Sequence, residues 1–454
     1  MRKWVSPVLL FAAVFLVSRV CQGFTLICQE YEGLFLNTPD AWTRAFAQPW
    51  PLSGIVSDYI IQFYRDPLYG ALFSAALITG VFLLIRGICS RFGLSWDSIP
   101  ALGAGVLWFF LARSSSPKLA VAVLLVLLVL WLLSLLLKKR AGKTWKPDLA
   151  LALVLVHLAA AVTIFSPAVQ RTERFSRVKR DALYGVWDDL LKTVPPTVAE
   201  EDPELMPFAL LALSGKEQLG SRMFTYPVYD ENDLDMVDYD GNKEYYTSLL
   251  FKACLYQYLG CYNEAIHNYY QWATQLEKGT GFIVLRRLVE LYYLLGDYTL
   301  MEKYCRILDK STANGTYVRH FRSLAAAGTA AEPTSTQDRS TMPVIGHDPL
   351  YNLLLLESSG FHSPHSGDRL LATLLLRKNA AQFLSALERM NFADGEMPVL
   401  YQEALLVWTQ DPDRVDSSVM ERYMDYRRDV LQLTPEVLMD RYKGTAFLYL
   451  SQAD

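Results

Sequence analysis

The feature that most constrains the fold is an uninterrupted apolar run, LAVAVLLVLLVLWLLSLLL, from Leu119 to Leu137. A helix rises 1.5 Å per residue, so about 20 apolar residues cross a hydrocarbon core of roughly 30 Å. Four further apolar stretches lie in the N-terminal part of the chain. The sequence therefore predicts about five transmembrane helices, at residues 4–24, 68–85, 99–112, 119–137 and 149–167. The segment 99–112 is short, and a re-entrant loop is its alternative.

Basic residues favour the five-span alternative, because Lys and Arg concentrate in cytoplasmic loops. Met1-Arg2-Lys3 indicates a cytoplasmic N-terminus, and the basic loop at residues 138–146 is cytoplasmic only if all five segments span. Five spans put residues 171 onward outside the cytoplasm. The basic residues at 171–180 conflict with this orientation, although long domains translocate despite such charges. A cleaved signal peptide is the alternative for the first segment, but Ser18–Gly23 offers no small-residue cleavage site.

Residues 25–67 form the first external loop, which is rich in aromatic side chains and punctuated by prolines. Ile55, Tyr59, Ile60 and Phe63 recur at helical spacing. Aromatic rings settle at the headgroup level of a bilayer, so this loop is predicted to contain an interfacial amphipathic helix.

The soluble half contains one pattern twice, at a constant offset. LYQYLGCYNEAIHNYYQW begins at Leu255 and LYYLLGDYTLMEKYCRIL at Leu291. Gly260 and Gly296 fit left-handed positions that end a first helix, and Ala265 suits a close approach of two helices. Met301 and Cys305 depart from the usual small and aromatic residues. The pattern resembles the tetratricopeptide repeat, a helix-turn-helix unit of about 34 residues.

Further helical hairpins are predicted on both sides of this pair. A weaker copy includes Leu211, Gly215, Gly220 and Phe224, and apolar residues three and four apart recur in LLATLLLRKNAAQFLSALERM and MPVLYQEALLVW. Residues 325–343 are predicted to be a surface loop, and no segment has the pattern of a strand. The tyrosines of the repeat, at positions 256, 262, 292 and 298, are predicted to be mostly core residues.

The predicted fold class is all-α, with about five N-terminal transmembrane helices followed by a C-terminal tetratricopeptide-like α-solenoid, because one hairpin cannot bury its apolar face alone. The predicted domains are a membrane domain at residues 1–170 and a helical domain at 171–454. The layout, with the loop sequence EYEGLFLNTPDAW, also resembles uncharacterised bacterial inner-membrane proteins. That resemblance implies a location and no activity.

Candidates for chemistry are weak throughout the chain. Acidic residues in the first external loop resemble those of glycosyltransferases that use lipid-linked sugars, but ordinary solvated acids are the simpler interpretation: Glu30, Glu32, Asp40, Asp58 and Asp66. His157 lies in a predicted span, where an ionisable group is a functional candidate by default, and a hydrogen bond to a backbone carbonyl or a serine is its alternative. Arg19 and Arg86 lie near span ends, where snorkelling explains them.

Metal sites are not predicted. His347, His362 and His365 with Asp348 and Asp368 lack a metal-ligand spacing, and loop histidines are the simpler interpretation. The acidic run Tyr229–Asn242 fails the EF-hand pattern, because Met236 and Thr247 fall where Asp and Glu are required. The six cysteines form no CxxC pair and are predicted to be scattered buried thiols.

The functional prediction is therefore an interaction or scaffold protein anchored in the bacterial inner membrane. It has no predicted catalytic, cofactor-binding or metal-binding residues and no cofactor. Its predicted partners are the lipid bilayer and a protein bound through the helical repeats; the net charge of −4 gives no reason to expect nucleic acid. A membrane enzyme of envelope glycan or lipid assembly is the main alternative, and a transporter component is disfavoured because most spans lack charge.

Overall fold

The structure is a computed structural model that describes residues 4–94, 96–114, 116–136, 148–236, 245–327, 348–358, 365–392 and 396–452. Within these ranges every regular element is a helix, which confirms the all-helical fold class. The chain divides into two compact units. Unit 1 comprises Met1–Arg180 and Ala273–Ala331, and unit 2 comprises Asp181–Trp272 and Glu332–Asp454. The predicted division at residue 170 into membrane and helical domains stays a prediction.

The first part of the chain contains the five apolar segments as separate helices. The helices are α1 (Val5–Cys21), α2 (Gly23–Glu32), α3 (Pro39–Phe46), α4 (Pro51–Ile61), α5 (Pro67–Arg91), α6 (Ser98–Arg113), α7 (Lys118–Leu136), α8 (Leu149–Phe165) and α9 (Pro167–Tyr184). By length and composition, α5 and α7 can cross a membrane, and the bent pairs α1–α2 (77°) and α8–α9 (52°) raise the count to four if each pair is one span. The helix α6 is apolar but shorter.

Polar contacts gather the ends of four of these helices at one end of unit 1, here called the Asp97 end. The hydroxyl of Ser6, in the first turn of α1, donates to Asp97 (2.9 Å), which precedes α6. Arg86, in the last turns of α5, forms an ion pair with Asp97 (3.3 Å). Asp148, which precedes α8, accepts the backbone N–H groups of Asp97 and Ser98. Snorkelling is therefore not the explanation for Arg86, since it pairs with a buried carboxylate.

The opposite end, here called the Glu30 end, brings together the other helix termini. Gln29 of α2 donates to the carbonyl of Ser114 after α6 (2.8 Å), and Ser57 of α4 lies 3.2 Å from Ser116 before α7. Glu173 of α9 accepts the N–H of Phe24 (2.9 Å) at the start of α2. The helices α1, α5, α6, α7 and α8 therefore alternate in direction between the two ends.

The helix bundle of unit 1 buries both small and large residues and leaves further large apolar residues exposed. The buried face of α6 carries Ala101, Ala104 and Gly105 together with Leu107 and Trp108, and that of α5 carries Gly70, Ala71 and Ala75 together with Ile78 and Phe82. The exposed side chains include Leu102, Val106 and Phe110 of α6 and Leu151, Val154, Leu158 and Val162 of α8. A helix in water turns most of its large apolar residues inward. Here apolar residues cover the outside of the bundle as well, and the small buried residues allow the helices to approach closely.

The remaining helices form short hairpins. Unit 2 begins with α10 (Trp187–Thr193), α11 (Pro196–Glu201), α12 (Met206–Gly215), α13 (Leu219–Arg222), α14 (Asn232–Asp235), α15 (Tyr245–Tyr258) and α16 (Tyr262–Thr274), whose end enters unit 1. Unit 1 continues with α17 (Phe282–Leu294), α18 (Tyr298–Leu308) and α19 (Gly315–Ala326). Unit 2 ends with α20 (Pro349–Ser358), α21 (Ser366–Leu376), α22 (Ala380–Met390), α23 (Val399–Thr409), α24 (Ser417–Val430), α25 (Pro435–Tyr442) and α26 (Ala446–Ser451).

The two repeat turns have the same geometry, as their sequences predict. Gly260 and Gly296 both have φ of 75°. The N–H of Cys261 donates to the carbonyl of Tyr256 (2.8 Å), and the N–H of Asp297 donates to that of Tyr292 (2.9 Å). This six-to-one bond is the Schellman ending of a helix, for which a left-handed glycine is best suited. The stacking of successive hairpins into a solenoid stays a prediction.

Two other hairpins use the same ending without glycine. Lys378 has φ of 52° and Glu217 has φ of 57°, each followed by the same six-to-one backbone bond. In the weaker copy of the repeat, Glu217 and not Gly215 takes the left-handed position. Gly215 instead lies inside α12, where a Cβ would stand 2.3 Å from the indole of Trp187.

The repeat tyrosines are less buried than predicted. Tyr298 is exposed, and Tyr256, Tyr262 and Tyr292 are half-buried. The buried side chains of these hairpins are instead Ala265, Tyr269, Trp272, Met301 and Cys305. The tyrosines that open the second helices cover the turns at the edge of the packing.

The cysteines agree better with prediction, since all six are free and only Cys21 is half-buried rather than buried.

Candidate functional site

The Glu30 end of unit 1 holds a buried ion pair between distant parts of the chain. Glu30 lies on α2 and Arg286 on α17, and their side chains are 1% and 2% exposed. Nη1 of Arg286 donates to Oε1 of Glu30 (2.7 Å), and Nη2 donates to Oε2 (2.6 Å). Such a fork-to-fork pair fixes both distance and orientation. It therefore binds α17 to the loop that follows the first apolar helix.

Neighbouring polar groups complete the environment of Arg286. Nη1 also donates to Oδ1 of Asn314 (3.1 Å), and Nδ2 of Asn314 donates to Ser311 Oγ (2.8 Å). The guanidinium lies 5.8 Å from the ring centre of Tyr31. A buried charge is tolerated only where it is paired and hydrogen-bonded, and both terminal nitrogens of this guanidinium are bonded.

Backbone contacts hold the same two segments at close range. The N–H of Phe282 donates to the carbonyl of Gly33 (3.0 Å), and the N–H of Asn37 donates to that of Lys310 (2.8 Å). A Cβ added at Gly281 would stand 2.3 Å from the carbonyl oxygen of Tyr31. Only glycine permits this approach, so residue 281 is where the start of α17 meets the end of α2.

Two further ion pairs join the first loop to other segments of unit 1. Glu32 pairs with Lys179 of α9. Asp58 of α4 pairs with Lys278 (2.6 Å). Burial raises the pKa of the Asp58 carboxyl, and the ammonium of Lys278 opposes that rise. The three pairs, Glu30–Arg286, Glu32–Lys179 and Asp58–Lys278, are here called the clamp.

The clamp and its surroundings account for part of the basic run that follows the fifth apolar segment. Lys179 has Glu32 as its counter-charge. Arg177 and Arg180 lie over the ring of Phe24, at 5.2 and 5.7 Å from its centre. These cations thus have contacts with the first loop at the Glu30 end.

The acidic residues proposed from sequence are mostly engaged in the fold. Glu30, Glu32 and Asp58 belong to the clamp, and Asp66 caps α5 by accepting the N–H of Leu68 (2.9 Å). Asp40 lies in the first turn of α3, where a carboxylate is favourable to the helix dipole. The structure therefore does not bring the five acids together into one catalytic group.

The histidine candidates are dispersed as well. His157 faces outward on α8, and its Nδ1 lies 2.8 Å from the carbonyl of Leu153 in the same helix. The ring of His365 stacks on Tyr258 (4.1 Å between centres), and burial lowers its pKa. His347 and His362 lie outside the described residues, as do residues 237–242 of the acidic run. No group of three metal-ligating side chains occurs in the part of the chain that the structure describes.

The two aspartates near these histidines have structural partners. Asp348 accepts the N–H of Leu350 (3.0 Å) at the start of α20 and pairs with Arg377 (2.7 Å). Asp368 accepts the hydroxyl of Tyr401 (2.6 Å), and burial raises the pKa of its carboxyl.

A cleft of about 330 Å³ opens beside the clamp at the Glu30 end. It lies between α3 and α4 and is here called the α3–α4 cleft. Its apolar lining includes Leu34, Leu36 and Ile55. Its polar lining comprises Arg44, Gln48, Asp58, Lys118, Glu277 and Lys278. The cleft thus combines an apolar wall with charges of both signs.

Unit 2 exposes large apolar side chains on α24 and α25, two helices that follow one another along the chain. Leu431, directly after α24, is 87% exposed. The others are Met424, Val430, Val437 and Met439. The core of the same region is formed by the opposite faces, which include Val419, Tyr423, Tyr426 and Tyr442.

These features define an all-helical protein in which a few helices are apolar enough to span a membrane, with a charged clamp at one end of the helix bundle. The chain belongs to DUF6057, described as a family of unknown function, whose profile matches residues 1–184 and 170–453. No curated protein and no solved structure matches the chain.

Sequence reasoning missed Arg286, the central cation of the clamp. A signal was present, since Arg286 and Arg287 interrupt an otherwise apolar stretch in FIVLRRLVELYYL. A cation on the buried side of a helix requires a buried acid. Nothing in the sequence identified Glu30 as that acid, because 256 residues separate the two.

Proposed function

We propose that this protein is an interaction or scaffold protein anchored in the bacterial inner membrane by five helices. Its helical hairpins, similar to tetratricopeptide repeats, lie outside the cytoplasm and bind a protein partner. The observation that carries the anchoring proposal is the clamp, because residues that contact one another outside the hydrocarbon core share one side of a membrane.

The clamp supports five crossings by counting. Glu30 and Glu32 lie between the first and second apolar helices, whereas Lys179 and Arg286 follow the fifth. Side chains in contact at the Glu30 end lie on one side of the bilayer, so the number of crossings between them is even. The apolar helices in between are α5, α6, α7 and α8. If all four helices span, the number of crossings is even, as the condition requires. If only α6 fails to span, three crossings remain and the condition is not met.

The packing supports the same arrangement. Leu102, Val106 and Phe110 of α6 are exposed, as large apolar residues of α7 and α8 are, so one side of α6 has the surface of a lipid-exposed helix. The helix α6 has 16 residues and therefore reaches about 24 Å. A short span of this kind is accommodated by local thinning of the bilayer. In unit 2, the apolar helix α12 is buried on every side and needs no lipid.

The orientation follows from the distribution of basic residues. The sequence 138–146 connects α7 to α8 and carries five Lys or Arg. The positive-inside rule assigns such a loop to the cytoplasm. The Glu30 end and the residues after α8 then lie outside the cytoplasm, in the periplasm.

The interaction proposal is supported by the exposed apolar residues of α24 and α25. Contiguous apolar surface outside a membrane segment is typical of protein-binding sites. Met424 and Leu431 are seven positions apart and lie on one side of the helix and its end. The alternative of a membrane enzyme gains no support from the first loop, where Glu30, Glu32 and Asp58 are engaged in ion pairs.

A partner-binding experiment tests the interaction proposal. The full chain and its Leu431→Glu variant are cross-linked in membranes of the native host, purified and compared by quantitative mass spectrometry. Tyr351→Glu serves as a matched control, because Tyr351 is exposed on α20 and lies apart from α24 and α25 in sequence. The proposal expects at least one protein that is retained by wild type and control but lost with Leu431→Glu. Equal recovery with all three chains, each inserted in the membrane, would contradict it.

A further inference from the structure

The helix α3 has an unusual surface for a short helix outside the bundle. It buries none of its residues. Trp42 and Phe46 are exposed on it, and Trp50 is 66% exposed in the turn to α4. Trp50 also has φ of 57°, a left-handed conformation that bulky residues rarely adopt. A strained and exposed tryptophan between two prolines is unfavourable in water.

The helix α4, which follows α3, likewise exposes apolar side chains and buries polar ones. Leu52, Val56 and Tyr59 are exposed, whereas Ser53 and Ser57 are buried. Ser57 contacts Ser116, just before α7, so the polar face of α4 packs against the bundle. The exposed stripe of α4 is therefore turned away from Ser116, and α7, against which α4 packs, carries exposed apolar residues of its own.

The α3–α4 cleft is lined by Ile55 of α4 and by Lys118 at the start of α7, and it carries excess positive charge. Three cations, Arg44, Lys118 and Lys278, line it with two acids, Asp58 and Glu277. Lys278 is paired with Asp58 (2.6 Å), and Lys118 is only loosely paired with Glu277 (3.8 Å). Within the described residues, the Arg44 side chain bonds only the carbonyl of Asp40 in its own helix (3.4 Å).

We propose that the α3–α4 cleft binds the headgroup of one phospholipid. The phosphodiester lies between Arg44 and Lys118, and the acyl chains run along the exposed residues of α4 and α7. An apolar surface joined to a cationic cleft matches a molecule with an anionic phosphate and two apolar chains, and a guanidinium is well suited to phosphate oxygens. The inference rests on the proposed membrane placement of unit 1 and is independent of the proposed protein partner.

Native mass spectrometry of the full chain in detergent tests this inference. The probe is dioleoylphosphatidylglycerol, titrated onto wild type, Arg44→Gln and Arg65→Gln. Arg65 is an exposed arginine at the same end that does not line the cleft, so it is the matched control. We expect Arg44→Gln to weaken lipid binding about tenfold, as the loss of a charge-assisted hydrogen bond does, and Arg65→Gln to change it less than twofold. Lys118→Gln is a second variant that should also weaken binding.

Two further probes identify the part of the lipid that is recognised. Dioleoylglycerol has the same chains without phosphate and should bind at least tenfold more weakly. Inorganic phosphate at millimolar concentration should not displace the phospholipid, because the chains contribute to binding. The inference is overturned by equal binding of dioleoylglycerol, by displacement with inorganic phosphate, or by equal effects of the Arg44 and Arg65 variants. Membrane insertion of every variant is measured separately, so a failure of lipid binding is distinguishable from a failure of anchoring.

Discussion

The buried pair Glu30–Arg286 gives the sharpest energetic prediction. Both side chains are almost fully buried, so replacing one of them leaves an uncompensated charge in the interior. Breaking a buried pair in this way costs roughly 3–5 kcal/mol. Replacing both partners by apolar residues of similar volume is often nearly neutral. We therefore expect Glu30→Met and Arg286→Met to be strongly destabilising alone and much less so when combined.

Hydrogen exchange of α17, followed by mass spectrometry on the full chain in lipid nanodiscs, measures the opening of this helix. Glu277→Met is the control, because its pair with Lys118 is largely exposed and should be worth less than about 1 kcal/mol. The reasoning would be refuted if Glu30→Met changed the opening free energy no more than the control does. It would also be refuted if the double variant were as unstable as the sum of the two single variants.

Two further predictions concern the hairpins and the C-terminal helices of unit 2. Gly260→Ala places a Cβ at φ of 75° and should cost about 1–2 kcal/mol. Glu217→Gly at φ of 57° relieves the same strain and should stabilise. Shifts of the thermal unfolding temperature in the same direction for the two variants would contradict this. Glu403 is buried, accepts the N–H of Ala446 (2.7 Å) and pairs with Arg422, and burial raises its pKa from 4.5 to about 7. The folded state then binds the proton more tightly, so stability falls by up to roughly 3 kcal/mol as the pH rises from 4.5 to 7. Glu403→Gln should abolish this dependence in the hydrogen exchange of α26 between pH 5 and 7.5, and an unchanged dependence would contradict the assignment.

The sequence predicted the elements whose causes are local. The apolar stretch 119–137 appears as α7, which ends at Leu136, the last described residue before the basic loop. Gly260 and Gly296 occupy the left-handed positions that the repeat required. In each case the information lies within one helix or one turn, where hydropathy and the absence of a Cβ decide the conformation.

The parts that could not be predicted depend on tertiary contacts. Glu217 and Lys378 take the left-handed position of a helix ending, although their side chains give no preference for it. The partner of Arg286 lies 256 residues away, and several acids were available. The α3–α4 cleft was not predicted either, because the periodicity of residues 51–61 indicates a helix without showing which face packs against α7. The predicted interfacial helix corresponds to α4, but its buried face carries serines.

The central claim is that the first loop and the helical domain lie on one side of the membrane. It is tested by single cysteines at Thr43 on α3 and Glu200 on α11, both exposed, in a chain whose six native cysteines are replaced. Each variant is treated with a membrane-impermeant maleimide in cells with a permeabilised outer membrane and in inside-out vesicles. The account predicts that both positions react in the cells and that neither reacts in the vesicles. Reaction of the two positions from opposite sides would contradict it.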